Sequence, residues 1–437
     1  MESKGASDFL EQAEKKGMIL GLARMYALLE ELSGPEKGLS FIHIAGTNGK
    51  GSVTAFLSSI LTEAGYKVGG YYSPAVENRL EQYRICGNAV SGEEFESLRE
   101  DVQAACERLK ERGEEEPTLF EIETAIAFLY FKKNGCLPVL LETGCGGAED
   151  ATNVIEKPLV SVLTSISEDH IGLIGKDIYE IAKTKAGIIK PGSKAVVSCG
   201  NEITADVIKK AAEERGAELQ IVDPLEIRDI CCGLREQVFS YKSYEGLRIH
   251  LAGNHQIENA ALAVEVCDAL KEEGFVLSED SIRNGLKKAF LPFRMEIVRE
   301  EPLFLLDGAH NPEAVETLMA SLKKELPGYR FLFIMGMLRD KDYRRVCELS
   351  APVADRFFLV ETEGNRRALR KETLKETLAG FAPKKDMSCT SVREAVFCAL
   401  KAGKEMSSHG IQMCIVSFGS FSYLREVKEC LKHMGDQ

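Results

Sequence analysis

Residues 41–63 read FIHIAGTNGKGSVTAFLSSILTE, and this stretch indicates the fold class. Its apolar beginning, 41–45, is typical of a buried strand, and the part after the glycines has the periodicity of a helix. A glycine-rich turn between strand and helix lets backbone N–H groups face phosphate oxygens, while the helix N-terminus and a lysine supply positive potential. We therefore expect a nucleotide-binding loop. Its candidate residues are Gly46, Thr47, Asn48, Gly49, Lys50, Gly51 and Ser52.

The loop departs from the common phosphate-binding pattern GxxxxGK[ST]. Ile44 stands where the first glycine of that pattern belongs, and Gly51 follows the lysine. A glycine turn without a ligand is therefore an alternative that the local pattern leaves open.

Apolar runs that are each followed by a longer helical pattern recur along the chain, and they predict βαβ units with parallel sheets. A first series lies at 41–45, 139–141, 160–166 and 195–199, and a second at 303–306, 331–335, 356–360 and 412–418. Between the two series, Pro292 cannot continue the preceding helix. We predict two α/β domains, residues 1–292 and 293–437.

The composition narrows the classes of function. With 437 residues, 44% of them hydrophobic, the chain can form more than one core. A formal net charge of −13 argues against nucleic acid as a partner, because affinity for phosphate backbones needs a basic face. No membrane span of about 18 apolar residues and no apolar leader is visible, so we expect a cytoplasmic protein. The 13 cysteines include no CxxC repeat, which argues against zinc and a disulfide framework.

Motifs in order along almost the whole chain resemble those of a known family. The phrases IHIAGTNGKGS and GMILGLARMYALLEEL are joined by YYSP, PTLFEIETAIAF, LETGCGG with DATN, TSISEDH, KAGIIKPG, GNHQIENAA, FRMEI, LDGAHNP and GSFSYL. This set resembles the folylpolyglutamate and dihydrofolate synthases of the Mur ligase superfamily. The resemblance implies an α/β fold in which a Mur-ligase-like P-loop ATPase domain precedes a smaller Rossmann-like domain, with the active site in the cleft between them. We favour a monomer.

The resemblance also implies the reaction. ATP phosphorylates a carboxylate, the amino group of L-glutamate attacks the acyl phosphate, and an amide forms with release of ADP and phosphate. A carboxylate is a poor electrophile until its oxygen becomes a phosphate leaving group, so catalysis rests on positioning and charge neutralisation. We expect an ATP-dependent ligase that adds L-glutamate to the γ-carboxylate of a (tetrahydro)folate.

The same matches imply a site for magnesium, a hard cation that prefers oxygen ligands. Ser73 of YYSP, Glu142 of LETG and His170 of SEDH would hold two ions. Glu142 ends an apolar run, at the strand end where ligands collect in open α/β sheets. A solvated strand end for Glu142 and a loop or capping role for His170 are the alternatives.

Lys185 of TKAGIIK matches the lysine that Mur-type ligases carry as a carbamate, formed when CO₂ adds to the neutral amine. The carbamate would turn a cation into an anion that helps to organise a magnesium ion. An acidic residue often precedes this lysine in the family, but here it is Thr184. An ordinary surface lysine is the alternative.

Further matches concern ATP and glutamate. Asn259 in GNHQIENAA, Arg294 at the domain junction and Asp307 of LLDGAHNP would contact ATP, and His310 would act near glutamate. Helix capping around Asn259 and a satisfied turn histidine at His310 are the alternatives. The predicted catalytic residues are Lys50, Lys185 and His310.

The folate site is expected near PTLFEIETA and DATN. Phe120 could offer its face to a pterin or benzoyl ring, although a core helix is the alternative for it, and Glu121 or Asp150 could accept the ring's N–H groups. Two departures from the family pattern lie on this side. Ala75 stands where relatives usually read the histidine of SPH, and Ala148 where they read the arginine of GGRLD.

Three other functions stay open at this point. They are a bifunctional dihydrofolate synthase that also adds the first glutamate to dihydropteroate, a Mur-type ligase with another carboxylate acceptor, and a catalytically silent nucleotide-binding relative. A silent protein need not keep the contributions of both domains. The joint presence of six residues therefore argues against it: Lys50, Glu142, His170, Lys185, Arg294 and Asp307.

Overall fold

The computed structural model describes residues 4–75, 78–169, 172–198, 200–362 and 364–435. The chain divides into two compact units. The first comprises Met1–Asp229, Phe239–Arg248 and Glu258–Ala289, and the second comprises Ile230–Val238, Ile249–Ile257 and Phe290–Gln437. The two consecutive domains expected from the sequence, divided at residue 292, stay a prediction.

The first unit contains a large, mostly parallel sheet. Its strands are β1 (Phe41–Ala45), β2 (Gly69–Tyr71), β3 (Tyr83–Ile85), β4 (Asn88–Ala89), β5 (Val139–Glu142), β6 (Val160–Leu163), β7 (Lys194–Val197) and β8 (Glu218–Ile221). Their order is β4-β3-β2-β5-β1-β6-β7-β8, and only the pairs that involve β3 are antiparallel. The predicted strand β1 is confirmed, and it lies between β5 and β6.

Two predicted strands of this sheet are shorter than expected. The run 160–166 forms a strand only to Leu163, because Ser165 leaves the ladder and bridges Asn48. The run 195–199 forms β7 at Lys194–Val197, and Cys199 lies outside the described residues.

Helices cover the sheet, as a parallel sheet with continuous apolar strands requires. They are α1 (Lys4–Lys15), α2 (Ala23–Glu31), α3 (Lys50–Glu63), α4 (Gly92–Glu111), α5 (Leu119–Lys133), α6 (Ile178–Ala186), α7 (Glu202–Glu214), α8 (Asn254–Glu272) and α9 (Glu279–Lys288). Short 3₁₀ helices occur at Arg79–Gln82, Ala151–Val154 and Pro224–Glu226. One apolar cluster centres on Phe128 and Phe131 of α5, and another on Ile181 and Ala186 of α6.

A small three-stranded sheet was not predicted from the sequence. It consists of β9 (Ile227–Cys231), β10 (Gln237–Tyr241) and β11 (Tyr244–Ile249) in the order β11-β10-β9. Four of the five residues of β9 are exposed, so this strand lacks the apolar run that marks a buried one.

The second unit contains a six-stranded sheet. Its strands are β12 (Glu296–Glu300), β13 (Leu303–Leu306), β14 (Arg330–Met335), β15 (Arg356–Leu359), β16 (Asp386–Cys389) and β17 (Met413–Phe418). The order is β12-β13-β17-β14-β15-β16, with only β12 antiparallel to its neighbour. The helices are α10 (Pro312–Glu325), α11 (Tyr343–Ser350), α12 (Lys371–Phe381), α13 (Val392–Ser408) and α14 (Phe421–Gly435). All four predicted strands of this series are confirmed to within one residue at each end.

This arrangement confirms the predicted α/β class, with strand–helix alternation in both units. Over the part of the chain that is described, no helix is both long enough and apolar enough to cross a membrane.

Candidate active site

The glycine-rich loop links β1 to α3, as predicted. Gly46 has a φ of +152°, and Gly49, the N-cap of α3, has a φ of +91°. A Cβ atom on Gly46 would lie 1.8 Å from Oγ1 of Thr164, and one on Gly49 would lie 2.6 Å from Oδ1 of Asn259. Glycine is therefore required at both positions by backbone conformation and by close approach. The second contact also places Asn259, a predicted nucleotide ligand, against the loop.

The segment after β6 holds the loop in shape. The backbone N–H of Thr47 donates to the carbonyl of Ser165 at 2.7 Å. Oγ1 of Thr47 donates to the carbonyl of Ser167 and accepts from its N–H, both at 3.1 Å. The hydroxyl of Ser165 donates to the carbonyl of Asn48 at 3.2 Å. These bonds fix the loop from one side, which is the preorganisation that a phosphate-binding loop needs.

Two lysines donate to one carbonyl of this loop. Nζ of Lys50 is 2.9 Å and Nζ of Lys185 is 2.8 Å from the carbonyl oxygen of Gly46. Burial lowers the pKa of Lys50, and burial together with the positive charge of Lys50 lowers the pKa of Lys185 to about 7. Only 4% of Lys185 is exposed, so the alternative of an ordinary surface lysine is wrong.

Acidic groups face this lysine pair. The negative charges of Glu142, Asp169 and Asp150 raise the pKa of Lys50 and so oppose the effect of burial. Asp169 was not among the predicted site residues. The only signal for it in the sequence is its place beside His170 in SEDH.

Two of the three predicted metal ligands are adjacent. Glu142 ends β5 with 2% exposure, so the solvated strand end is wrong, and its Oε2 accepts from the backbone N–H of Ser73 at 3.4 Å. His170 lies outside the described residues. Within the described ranges, no three His, Cys, Asp or Glu side chains are grouped as metal ligands. The hydroxyl and carboxylate oxygens that are present suit a hard cation such as magnesium.

Residues 144–155 form a loop after β5, called here the acceptor-side loop, and it carries Asp150. The Asp150 side chain is buried, with Oδ2 accepting from the N–H of Cys145 at 2.7 Å. Its Oδ1 accepts from the N–H and the hydroxyl of Thr152 at 3.0 and 2.6 Å. Burial raises the pKa of Asp150, and these hydrogen bonds oppose the rise. The role of Asp150 as an acceptor for the folate ring stays a prediction.

The acceptor-side loop packs directly on the turn that carries Lys185. A Cβ atom on Gly147 would lie 2.7 Å from the carbonyl oxygen of Thr184, and 2.8 and 3.0 Å from the carbonyl oxygen and Cα of Lys185. The N–H of Ala148 donates to the carbonyl of Thr184 at 2.8 Å. The backbone position of Lys185 is therefore tied to the loop that carries Asp150.

Phe120 and Glu121, at the start of α5, have different surroundings. The Phe120 ring is partly buried and stacks on Tyr71, with centroids 6.0 Å apart. Oε2 of Glu121 accepts from the N–H and hydroxyl of Thr118 at 2.7 and 2.9 Å and from Nε of Arg24 at 3.1 Å. Glu121 thus closes a capping box at the helix N-terminus, a structural role that the sequence analysis missed.

In the second unit, the three predicted residues come together at the carboxyl end of β13. Asp307 is buried and accepts from two backbone N–H groups at 2.8 Å each. Burial raises its pKa, against the positive charge of Arg294. The guanidinium of Arg294 lies 5.2 Å from the ring centroid of Phe421, and the His310 ring lies 5.8 Å from the same centroid. Nδ1 of His310 is 2.9 Å from the carbonyl oxygen of Gly308.

Comparison with known proteins identifies the family. Residues 44–267 match the Mur ligase middle domain, and residues 293–417 match the Mur ligase glutamate ligase domain. The chain is 38% identical to a dihydrofolate synthase/folylpolyglutamate synthase of Bacillus subtilis, over 82% of this chain and 85% of that protein. It is 34% identical to a folylpolyglutamate synthase of Lacticaseibacillus casei, over 79% and 82% of the two chains.

Comparison with solved structures finds members of the same family. Folylpolyglutamate synthase of Mycobacterium tuberculosis, complexed with ADP and AMPPCP, matches with a TM-score of 0.90 and 27% identity over 98% of this chain and 97% of that chain. FolC of E. coli, complexed with DHPP and ADP, matches with a TM-score of 0.85 and 32% identity over 98% of each chain.

The fold and the nucleotide loop define a Mur ligase, that is, an ATP-dependent amide-forming ligase. Within that class, the chain belongs to the folylpolyglutamate synthase/dihydrofolate synthase family.

Proposed function

We propose that the chain works as a folylpolyglutamate synthase, which uses ATP to join L-glutamate to the γ-carboxylate of a (tetrahydro)folate. The observation that supports this best is the pair of lysines on the Gly46 carbonyl, inside a loop whose backbone shape is already fixed. Lys50 supplies positive charge for the phosphates of a nucleotide at this carbonyl, and Lys185 lies beside it. The names of the relatives supply the acceptor and the amino acid.

Residues 46–52 bind the ATP phosphates in this proposal. The Nζ of Lys50 bonds only to the loop carbonyls of Gly46 and Thr47 within the described ranges, at 2.9 and 3.3 Å, and it can turn to a phosphate oxygen without disturbing the core. It neutralises charge on the phosphoryl group as that group moves to the folate carboxylate. Asn259, Arg294 and Asp307 make the further contacts to the nucleotide.

Ser73, Glu142 and His170 would hold magnesium. A bound ion would supply positive charge at the phosphate oxygens. The adjacency of Ser73 and Glu142 supports the first two ligands, and His170 rests on the motif SEDH alone.

Lys185 is the site of a carbamate. The neutral amine adds to CO₂, an N–C bond forms, and one proton leaves, so the side chain changes from a cation to an anion. Burial and the charge of Lys50 lower the pKa of Lys185 to about 7, so a substantial share of the amine is neutral near that pH. Loss of the positive charge also ends the repulsion between the two lysines.

The folate ring lies beside Phe120 and Asp150, with Glu121 supporting the start of α5 and the γ-carboxylate directed to the phosphates. In the second unit, His310 acts near the incoming glutamate, at the carboxyl end of β13 where ligands collect in α/β sheets. The proposal takes the chain as two domains, 1–292 and 293–437, in a cytoplasmic monomer.

Product analysis tests the proposal. The protein is incubated with ATP, magnesium, L-glutamate and either tetrahydrofolate or dihydropteroate, and products are examined by mass spectrometry alongside ADP release. We expect tetrahydrofolate to gain one glutamyl residue per ADP. Turnover of dihydropteroate as well would extend the activity to that of a dihydrofolate synthase. Failure of every folate to give a glutamate-dependent product would refute the proposal.

A further inference from the structure

A buried histidine lies behind the acceptor-side loop. His43 is in the middle of β1, it is fully buried, and all the other residues of that strand are apolar. Its Nε2 is 2.8 Å from Oγ1 of Thr152. The hydroxyl of Thr152 in turn donates to Oδ1 of Asp150 at 2.6 Å. A chain of two hydrogen bonds thus connects the central strand with the Asp150 carboxylate.

The chemistry of the three groups fixes the direction of both bonds. A threonine hydroxyl has one hydrogen, and it is given to the carboxylate, so Oγ1 accepts from Nε2–H of His43. Burial, helped by the positive charge of Lys190, lowers the pKa of His43 to about 3, which leaves the ring neutral. With its hydrogen on Nε2, the ring has a bare Nδ1. Within the described ranges this buried atom has no hydrogen-bond partner.

A bare, buried acceptor destabilises a fold, because its bond to water is lost and not replaced. A leucine or valine at position 43 would avoid that loss and would match the rest of the strand. Packing of the core therefore does not account for a histidine here. What the histidine adds is the single hydrogen bond to Thr152.

The bond from His43 differs from the other bonds that hold the acceptor-side loop, because it ends on the Thr152 side chain. Lys190 donates to the carbonyl of Asn153 at 2.9 Å, and the Asn153 amide donates to the carbonyl of Ala148 at 2.9 Å. Both of these bonds therefore hold the backbone of the loop. Over the described residues, the bonds to the Asp150 carboxylate come from the loop itself. His43 connects them to the rigid central strand.

We propose that His43 is a positioning residue for the acceptor, which orients the Thr152 hydroxyl and, through it, the Asp150 carboxylate toward the ring of the folate. The inference rests on the proposed placement of Asp150 at the folate. Without a donor at position 43, the Thr152 hydroxyl keeps only its bond to the carboxylate, and groups of the acceptor-side loop alone then hold Asp150. The effect falls on the acceptor, because the bond leads to the acceptor-side loop and no hydrogen bond joins the His43 side chain to residues 46–52 in the described structure.

Steady-state kinetics of His43→Leu and His43→Gln test this inference. Leucine fills a similar volume without a donor, whereas the glutamine amide can place an N–H near the position of Nε2. We expect His43→Leu to raise KM for tetrahydrofolate about tenfold while KM for ATP changes less than twofold, and His43→Gln to restore most of the loss. Thr152→Val should give a similar rise and Thr152→Ser should not. The double variant His43→Leu/Thr152→Val should be no worse than either single variant, since both remove the same bond.

A folded His43→Leu variant with an unchanged KM for tetrahydrofolate would overturn the inference. An equal rise in both KM values that His43→Gln does not rescue would also overturn it, because it would mark a general structural role. If His43→Leu does not fold, comparison of KM for tetrahydrofolate between Thr152→Val and Thr152→Ser tests the same hydrogen bond. Asp150→Asn separates this inference from the proposed function. If that variant raises KM for tetrahydrofolate and His43→Leu does not, only the role of His43 fails, whereas no effect of Asp150→Asn would remove Asp150 from the folate site.

Discussion

Replacement of Gly147 by alanine adds a single methyl group between the acceptor-side loop and the turn that carries Lys185. Gly147 does not have a positive φ, so its backbone conformation is open to alanine. The added Cβ would, however, lie 2.7 Å from the carbonyl oxygen of Thr184 and 2.8 Å from that of Lys185. All of its closest contacts are backbone atoms, which cannot rotate away as a flexible side chain can.

The size of the effect follows from these distances. Ordinary van der Waals contact begins at 3.4 Å, so the loop and the turn have to separate by roughly 0.7 Å. Overpacking of this kind destabilises a protein by about 1–3 kcal/mol. A displacement near 1 Å of a catalytic group can cost about 100-fold in rate. We therefore expect kcat to fall on the order of 10- to 100-fold if the turn moves and takes Lys185 away from the Gly46 carbonyl.

The assay is glutamate-dependent ADP release at saturating substrates, together with thermal unfolding. Gly92→Ala is the matched control, because Gly92 opens α4, has no positive φ and would have open space around an added Cβ. The control should keep wild-type kcat. If the loop moves instead of the turn, the loss appears as a higher KM for the folate. A Gly147→Ala variant with both kcat and KM within twofold of wild type would refute the idea that this contact sets the position of Lys185.

Three further outcomes are expected. Lys50→Ala should abolish ATP-dependent turnover and leave the unfolding temperature nearly unchanged, since its amine bonds only to loop carbonyls within the described ranges; wild-type turnover in a folded variant would remove it from the site. The Lys185 amine becomes reactive as it loses its proton, so activity should rise with pH through about 7 and respond to added bicarbonate below that pH, and a flat response in bicarbonate-depleted buffer would contradict a carbamate. The pair Ala75→His and Ala148→Arg should lower KM for folates, because it restores charge on the folate side, and leave KM for ATP unchanged; equal changes in both constants would show that these positions do not select the acceptor.

The strands that the sequence predicts are largely apolar and buried, and most of the strands that it misses are partly exposed. β13 is a continuous apolar run, and β1 and β17 are apolar except for His43 and Ser417; the bounds of all three differ from the predicted ones by at most one residue. β12 reads EIVRE and β16 reads DMSC, with polar residues in each, so neither has the pattern of a buried strand. Edge strands and partly exposed strands gain their stability from pairing, which leaves little trace in a single sequence.

The motifs did not predict the roles of Glu121 and Asp169. The phrase TLFE is itself a capping-box pattern, so the bond from Thr118 to Glu121 was open to prediction from spacing alone. The charge of Asp169 near the lysine pair was not, because it depends on how the segment after β6 approaches residues 46–52. Lys185 and Gly46 are likewise 139 residues apart, and only the fold brings them to 2.8 Å.

The chemistry of the lysine pair depends on that approach and not on residue type. A lysine on a helix surface keeps its proton at neutral pH and cannot add to CO₂. Lys185 differs because it is buried and donates to the same carbonyl oxygen as Lys50. Loss of hydration and repulsion from the positive charge of Lys50 both lower its pKa. The same shared oxygen leaves both amines poorly satisfied by protein groups alone. Under the proposed function, anionic phosphates would relieve that shortage at Lys50, and loss of a proton would relieve it at Lys185. One geometric feature would then favour both nucleotide binding and amine reactivity.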